Sequence, residues 1–110
     1  MDTIVAISTA LGEGAISIIR LSGKDAISIV DSIFSRDLTK VESHRVVYGF
    51  IKNEEDIIDE VLITVMKSPK TYTLEDIVEI SCHGSIATTK KILELIMLKG
   101  ARLAEKGEFT

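Results

Sequence analysis

Ser68-Pro69-Lys70-Thr71-Tyr72-Thr73-Leu74-Glu75-Asp76-Ile77-Val78-Glu79-Ile80-Ser81-Cys82-His83-Gly84 is the stretch on which the fold turns. Pro69 and the Ser and Thr residues around it favour a turn, because proline presets φ and short hydroxyl side chains bond the local backbone. Residues 77–81 then read as a strand rich in β-branched side chains. A period of two puts Val78 and Ile80 on one face and Ile77, Glu79 and Ser81 on the other. One carboxylate, Glu79, therefore sits in the middle of an otherwise apolar strand. A charge in that position is costly unless something pairs with it. After the strand, His83-Gly84 leads into a helix that Ser85 is suited to cap.

Working outward, residues 3–8 (Thr-Ile-Val-Ala-Ile-Ser) read as a first strand, and residues 9–14 as a loop with two glycines. Residues 15–21 (Ala-Ile-Ser-Ile-Ile-Arg-Leu) form a second strand, with Ile16, Ile18 and Arg20 on one face. Here too a single charge closes an apolar strand. Ser22-Gly23-Lys24-Asp25 has capping-box spacing, with an Asp in place of the usual Glu. The helix expected after it carries Ala26, Ile29, Val30, Ile33 and Phe34 at helical spacing. Residues 36–44 are polar and connect to a third strand at 45–51. Residues 52–56 are an acidic turn without glycine, for which a loop longer than a tight hairpin is expected. Residues 57–66 hold a fourth strand, antiparallel to the third. In the second helix Ile86, Ile92, Leu93, Ile96 and Met97 are the expected buried side. Lys99 and Gly100 end it, and residues 101–109 read as a final extended segment. The sum is an α+β domain: a small, mostly antiparallel sheet of five or six strands with two helices.

The chain has 110 residues, 45% hydrophobic but only 5% aromatic, so its core is built from Ile, Val and Leu. That length suits one domain able to bury roughly two-thirds of its unfolded surface. A mean hydropathy of +0.27 is high for a small domain and fits an apolar surface covered by a partner. The net charge of −4 argues against nucleic-acid binding by this segment alone, since phosphate affinity needs a basic face. Cys82 is the single cysteine, which excludes an internal disulfide. The start, Met1-Asp2-Thr3-Ile4-Val5, lacks the basic region of a signal peptide, and no apolar run approaches the roughly 20 residues of a membrane helix. A cytoplasmic protein is expected. The ending Gly107-Glu108-Phe109-Thr110 reads as a cut within a longer chain.

Arg20 and Glu79 are the candidate site residues. They serve either as a structural ion pair or as ligand contacts. A carboxylate accepts two parallel bonds from a planar N–H/NH₂ edge such as that of a pterin or guanine, and a guanidinium suits a carboxylate or carbonyl oxygen. Cys82 and His83 are adjacent in a strand and so face opposite ways, which favours a buried structural cysteine over a Cys–His nucleophile. Two histidines and one cysteine without a spacing pattern do not make a metal site. Gly12-Glu13-Gly14 reads as a plain turn. No G-x-x-x-x-G-K-[ST] occurs, so no P-loop lies in this segment. Glu54, Glu55, Asp56, Asp59 and Glu60 read as a solvated acidic loop.

Taken together, several runs resemble the N-terminal domain of the MnmE (TrmE) family of tRNA-modification GTPases. They are Asp2-Thr3-Ile4-Val5-Ala6, Gly12-Glu13-Gly14, Ile18-Ile19-Arg20-Leu21-Ser22-Gly23, Ser68-Pro69 with Tyr72-Thr73, Glu75-Asp76-Ile77-Val78-Glu79-Ile80, His83-Gly84, Ala101-Arg102-Leu103-Ala104 and Gly107-Glu108-Phe109-Thr110. The chain departs from the family pattern at turn positions. Ala10-Leu11 and Lys106 stand where prolines are usual, and Leu74 and Ser85 where glycines are. The resemblance implies a first domain, residues 1–110, similar to the tetrahydrofolate-binding domain of aminomethyltransferases. Such a domain binds 5-formyl- or 5,10-methylene-tetrahydrofolate and holds the protein as a homodimer. Arg20 and Glu79 match the family's folate contacts, and the remaining contacts lie past Thr110. For the whole protein it implies a helical domain and a potassium-stimulated GTPase domain using GTP and Mg. It also implies an FAD-containing partner and an aminomethyl-type modification of wobble uridine in tRNA. A dimerisation module that binds no ligand, with Arg20 and Glu79 paired to each other, is the alternative.

Overall fold

The computed structural model describes residues 2–8, 16–68, 75–83, 85–105 and 107–109. The turn expected at Pro69 and the loop at Gly12-Glu13-Gly14 lie outside them. In chain order the elements are β1 (Ile4–Ile7), β2 (Ile16–Ser22), α1 (Ala26–Asp31), β3 (Arg45–Asn53), β4 (Asp56–Met66), β5 (Ile77–His83), α2 (Ile86–Leu98) and β6 (Arg102–Leu103). One six-stranded sheet runs in the order β3-β4-β5-β2-β1-β6. Every pairing is antiparallel except β1 with β6. The fold is α+β.

Alternation decides which side of the sheet is covered. Val5, Ile19, Leu21, Ile63, Val65, Val78 and Ile80 are fully buried and pack with Ala26, Ile29 and Val30 of α1 and Ile92, Leu95 and Ile96 of α2 in one cluster. Both helices therefore lie against the same face. The opposite face carries Ile16, Ile18 and Arg20 of β2, Ile77, Glu79, Ser81 and His83 of β5, Leu62 and Thr64 of β4, and Val46 and Tyr48 of β3. On it Ile16, Val46, Tyr48 and Leu62 are exposed. That bare apolar surface is what the high mean hydropathy reflects.

Several local expectations are corrected. Asp25 stands at the N-cap of α1 with no side-chain capping bond. The capping box does not form because the Asp25 amide donates instead to Thr3 Oγ1, 3.1 Å away. The helix also ends at Asp31, short of Ile33 and Phe34. Asp31 Oδ1 accepts from the Leu38 amide at 2.8 Å, and Phe34 bridges to Ile51 along the outer edge of β3. The acidic turn is a tight one: Asn53 pairs with Asp56, leaving only Glu54 and Glu55 between the strands, with Glu54 at φ 57°. A bulge at Ile51/Lys52 supplies the twist that a glycine turn usually would. In α2, Ser85 caps as expected, accepting from the Thr88 amide. Ile86 and Met97, however, are exposed, and Thr89 and Leu95 take the buried places. The closing segment contributes only the two-residue β6, followed by a turn over 107–109.

Candidate functional site

Arg20 and Glu79 lie directly opposite each other across the β2–β5 ladder, with Thr64 of β4 opposite Glu79 on the other side. The chain separates them by 59 positions, yet antiparallel register sets them side by side on the open face. Arg20 Nε donates to Glu79 Oε2 at 2.6 Å, and Nη2 converges on the same oxygen. Their side chains are 28% and 21% exposed, so the pair is partly desolvated while still reachable from solvent. A charge-assisted bond in such a setting is stronger than a surface ion pair. Both of these guanidinium contacts fall on one carboxylate oxygen, Oε2.

At the far end of β5 is a second polar pair that the sequence reading missed. Asp59, assigned there to a solvated loop, is in β4 with its side chain only 10% exposed. Its carboxylate forks onto His83, Oδ2 accepting from the backbone amide at 2.9 Å and Oδ1 lying 2.6 Å from Nδ1. The ring itself is 67% exposed. The signal available in sequence was the alternation of β5: His83 shares the face of Glu79 and Ser81. Beside it Tyr48 donates its hydroxyl to Glu60 Oε2 at 2.6 Å, which pushes the Tyr48 phenol up from its ordinary value. Between these pairs lies a recess of about 290 Å³ walled by Ile16, Tyr48, Leu62 and Ser81.

Cys82 and His83 do not meet. Cys82 is buried in the core cluster on the helix-covered face, with Sγ 3.5 Å from the Ser17 carbonyl oxygen. Burial pushes its thiol above the ordinary value, the reverse of an activated nucleophile. Alkylation of native Cys82 is therefore expected to run more than roughly a hundredfold slower than in the urea-unfolded chain. A folded-state pKa raised above the unfolded one (about 8.5) adds stability below that value and loses it as pH rises through the folded value. The denaturation midpoint should then fall as pH rises above about 8.5, and fall less in Cys82→Ala. Equal slopes for the two proteins would show that the thiol is not buried as described. Among the described residues no group of three or more His, Cys, Asp and Glu is arranged to hold a metal ion, and no helix is long and apolar enough to cross a membrane.

The family model described as the GTP-binding protein TrmE N-terminus matches residues 3–110. The chain belongs to the TrmE N-terminal family. It is 58% identical over 110 residues to the tRNA modification GTPase MnmE of Lactococcus lactis subsp. lactis, covering 99% of this chain and 24% of that protein. To the protein of the same name from Thermoanaerobacter pseudethanolicus it is 57% identical over 115 residues, covering 99% and 25%. For Shouchella clausii the identity is 54% over 114 residues, covering 100% and 25%. The chain thus spans about a quarter of the length of these curated relatives. The two charges singled out by their placement, Arg20 and Glu79, lie within the matched region.

Proposed function

We propose that residues 1–110 are the tetrahydrofolate-binding, dimer-forming N-terminal domain of a GTPase that takes part in 5-(carboxymethyl)aminomethyl modification of wobble uridine in tRNA. The observation that carries the folate reading is the Arg20–Glu79 contact at the centre of an open apolar sheet face. The residues present fit the group. On this reading Glu79 accepts from the pterin's amino/amide edge. Arg20 holds a ligand oxygen or the anionic tail, and the aliphatic surface around them packs against a flat ring. When bound, tetrahydrofolate supplies the one-carbon unit. The chain's own work is to bind and orient it. The names of the relatives support the tRNA-modification part of the reading. The whole protein is then a cytoplasmic GTP hydrolase with Mg and K in its GTPase domain, an FAD-dependent partner, and tRNA as substrate of the complex. The second copy in the homodimer covers exposed apolar sheet surface, and light scattering on the full-length protein reads that state.

Calorimetry with 5-formyltetrahydrofolate on the full-length protein tests the folate reading. Glu79→Gln removes an acceptor needed by the ligand's donor edge and should weaken binding by about 1–3 kcal/mol. Binding as tight as the parent's would end the pterin-edge role. The Arg20–Glu79 bond itself favours the second reading, a dimerisation module in which the pair is structural. On that reading the parent gives no heat with folate, while the protein remains a dimer.

A further inference from the structure

We propose that Arg102 is a positioning residue: its clasp on Asp2 and Glu108 fixes where the full-length chain leaves this domain and turns the departing segment onto the open sheet face. The curated relatives are about four times as long as this chain, so in a protein of their kind much more chain follows Thr110. What binds at Arg20 and Glu79 has no bearing on the clasp.

One guanidinium makes all of its contacts. Nε donates to Asp2 Oδ2 at 2.9 Å, joining residues 100 positions apart. Nη1 donates to Glu108 Oε1 at 3.0 Å, and Nη2 reaches the second oxygen of the same carboxylate. Nη1 also donates to the Leu103 carbonyl oxygen at 3.3 Å. A two-oxygen fork of this kind is a geometry that arginine offers and lysine does not. Glu108 is held from its other side as well. Its Oε1 accepts from the Glu105 amide at 2.7 Å, and its own amide donates to the Glu105 carbonyl oxygen at 3.0 Å. Arg102 holds the Glu108 carboxyl below the usual carboxylate range, and Glu108 and Asp2 push the guanidinium up from its ordinary value. An isolated exposed ion pair holds little, but here a base, two acids and a turn share one network.

Position gives the clasp its consequence. Arg102 stands opposite Ile4, Ile4 opposite Ser22 and Ser22 opposite Ile77, so all four share the open face. Two residues along the strands is the row that holds Arg20 and Glu79. Arg102 is then roughly 7 Å from Arg20 along the strands and roughly 10 Å across them. Ile4 and Ile77 are buried, unlike Ile16 and Leu62 at the other end of the face. Asp2, Ile4, Glu75, Arg102 and Glu108 wall one recess at this end. β6 is only two residues long, tied to β1 by the Arg102 and Ala104 amides on the Thr3 and Val5 carbonyl oxygens. So short a strand lets the chain leave toward either side of the sheet edge. The fork onto Glu108 draws it back over Ile4, toward the row of Arg20 and Glu79.

Hydrogen exchange read by mass spectrometry on the full-length protein is the test. Arg102→Gln keeps the β6 backbone bonds and should melt within about 2 °C of the parent. Glu108→Gln leaves Arg102 on Asp2 and should melt alike. In both variants the peptide from Glu105 to Glu108 and the stretch just after Thr110 should exchange roughly tenfold faster or more, with β2, β4 and β5 unchanged. Parental rates in either variant overturn the clasp. So does faster exchange that stops at Thr110, which would make the contact local to the turn. Faster exchange throughout the domain with a lowered melting temperature overturns it too, since Arg102 would then be a prop of the sheet edge.

Discussion

Gly23→Ala is expected to lose about 3–5 kcal/mol of folding stability, a large part of the roughly 5–15 kcal/mol that a domain usually has. Gly23 closes β2 at φ 146°, a region that side chains rarely enter. A methyl group there would stand 2.5 Å from Thr3 Oγ1 and 2.6 Å from Thr3 Cα. The second of these is backbone, so rotation of the Thr3 side chain gives no relief. Thr3 is buried and accepts the amide of Asp25, and the Gly23 amide donates to the Asp76 carbonyl oxygen at 3.0 Å. The entries to β1, α1 and β5 thus meet at one point that only a glycine fits. Urea denaturation followed by circular dichroism reads the effect as a fall in midpoint of about 2 M. A midpoint within error of the parent's would mean that the close approach to Thr3 is absent.

Ile80→Ala is the second large effect, expected at about 3–4 kcal/mol. Ile80 has no exposed surface and stands in register between Ile19 of β2 and Ile63 of β4, both also fully buried. These three side chains form the middle row under the helices. Two β-sheet neighbours and two helices hold the space open, so a truncated side chain leaves a cavity rather than a collapse. Ile57→Ala is the control: Ile57 is 62% exposed and its loss should stay within about 0.5 kcal/mol. Comparable losses at the two positions would show that Ile80 is not at the centre of the core.

Period and composition carried most of the architecture. β2, β3, β4 and β5 lie within two residues of where alternation of β-branched side chains put them, because each has one face buried and the other open. What escaped was decided by contacts distant in sequence. Thr3, 22 positions away, takes the amide that a local capping box would have satisfied. The bridge from Phe34 to Ile51 pulls the chain out of α1. In α2 the helical period was right but its phase was not, since Ile86 and Met97 gave up the buried side to Thr89 and Leu95. The candidate site divides the same way. Arg20 and Glu79 were legible because each is a charge inside an apolar strand. Asp59 was hidden among four other acids, and only the pairing of β4 with β5 brings it onto His83.

Because α1 and α2 stand on one side of the sheet only, the domain is a plate with one clothed surface and one that is bare at Ile16, Val46, Tyr48 and Leu62 but covered at Ile77. Whatever dresses the bare surface, whether cofactor, second copy or neighbouring domain, recognises a pattern that exists only once β2, β4 and β5 are in register. Its binding free energy is then added to the folded state by mass action. A ligand or second copy that bound there would raise the melting temperature of this plate as its concentration rose.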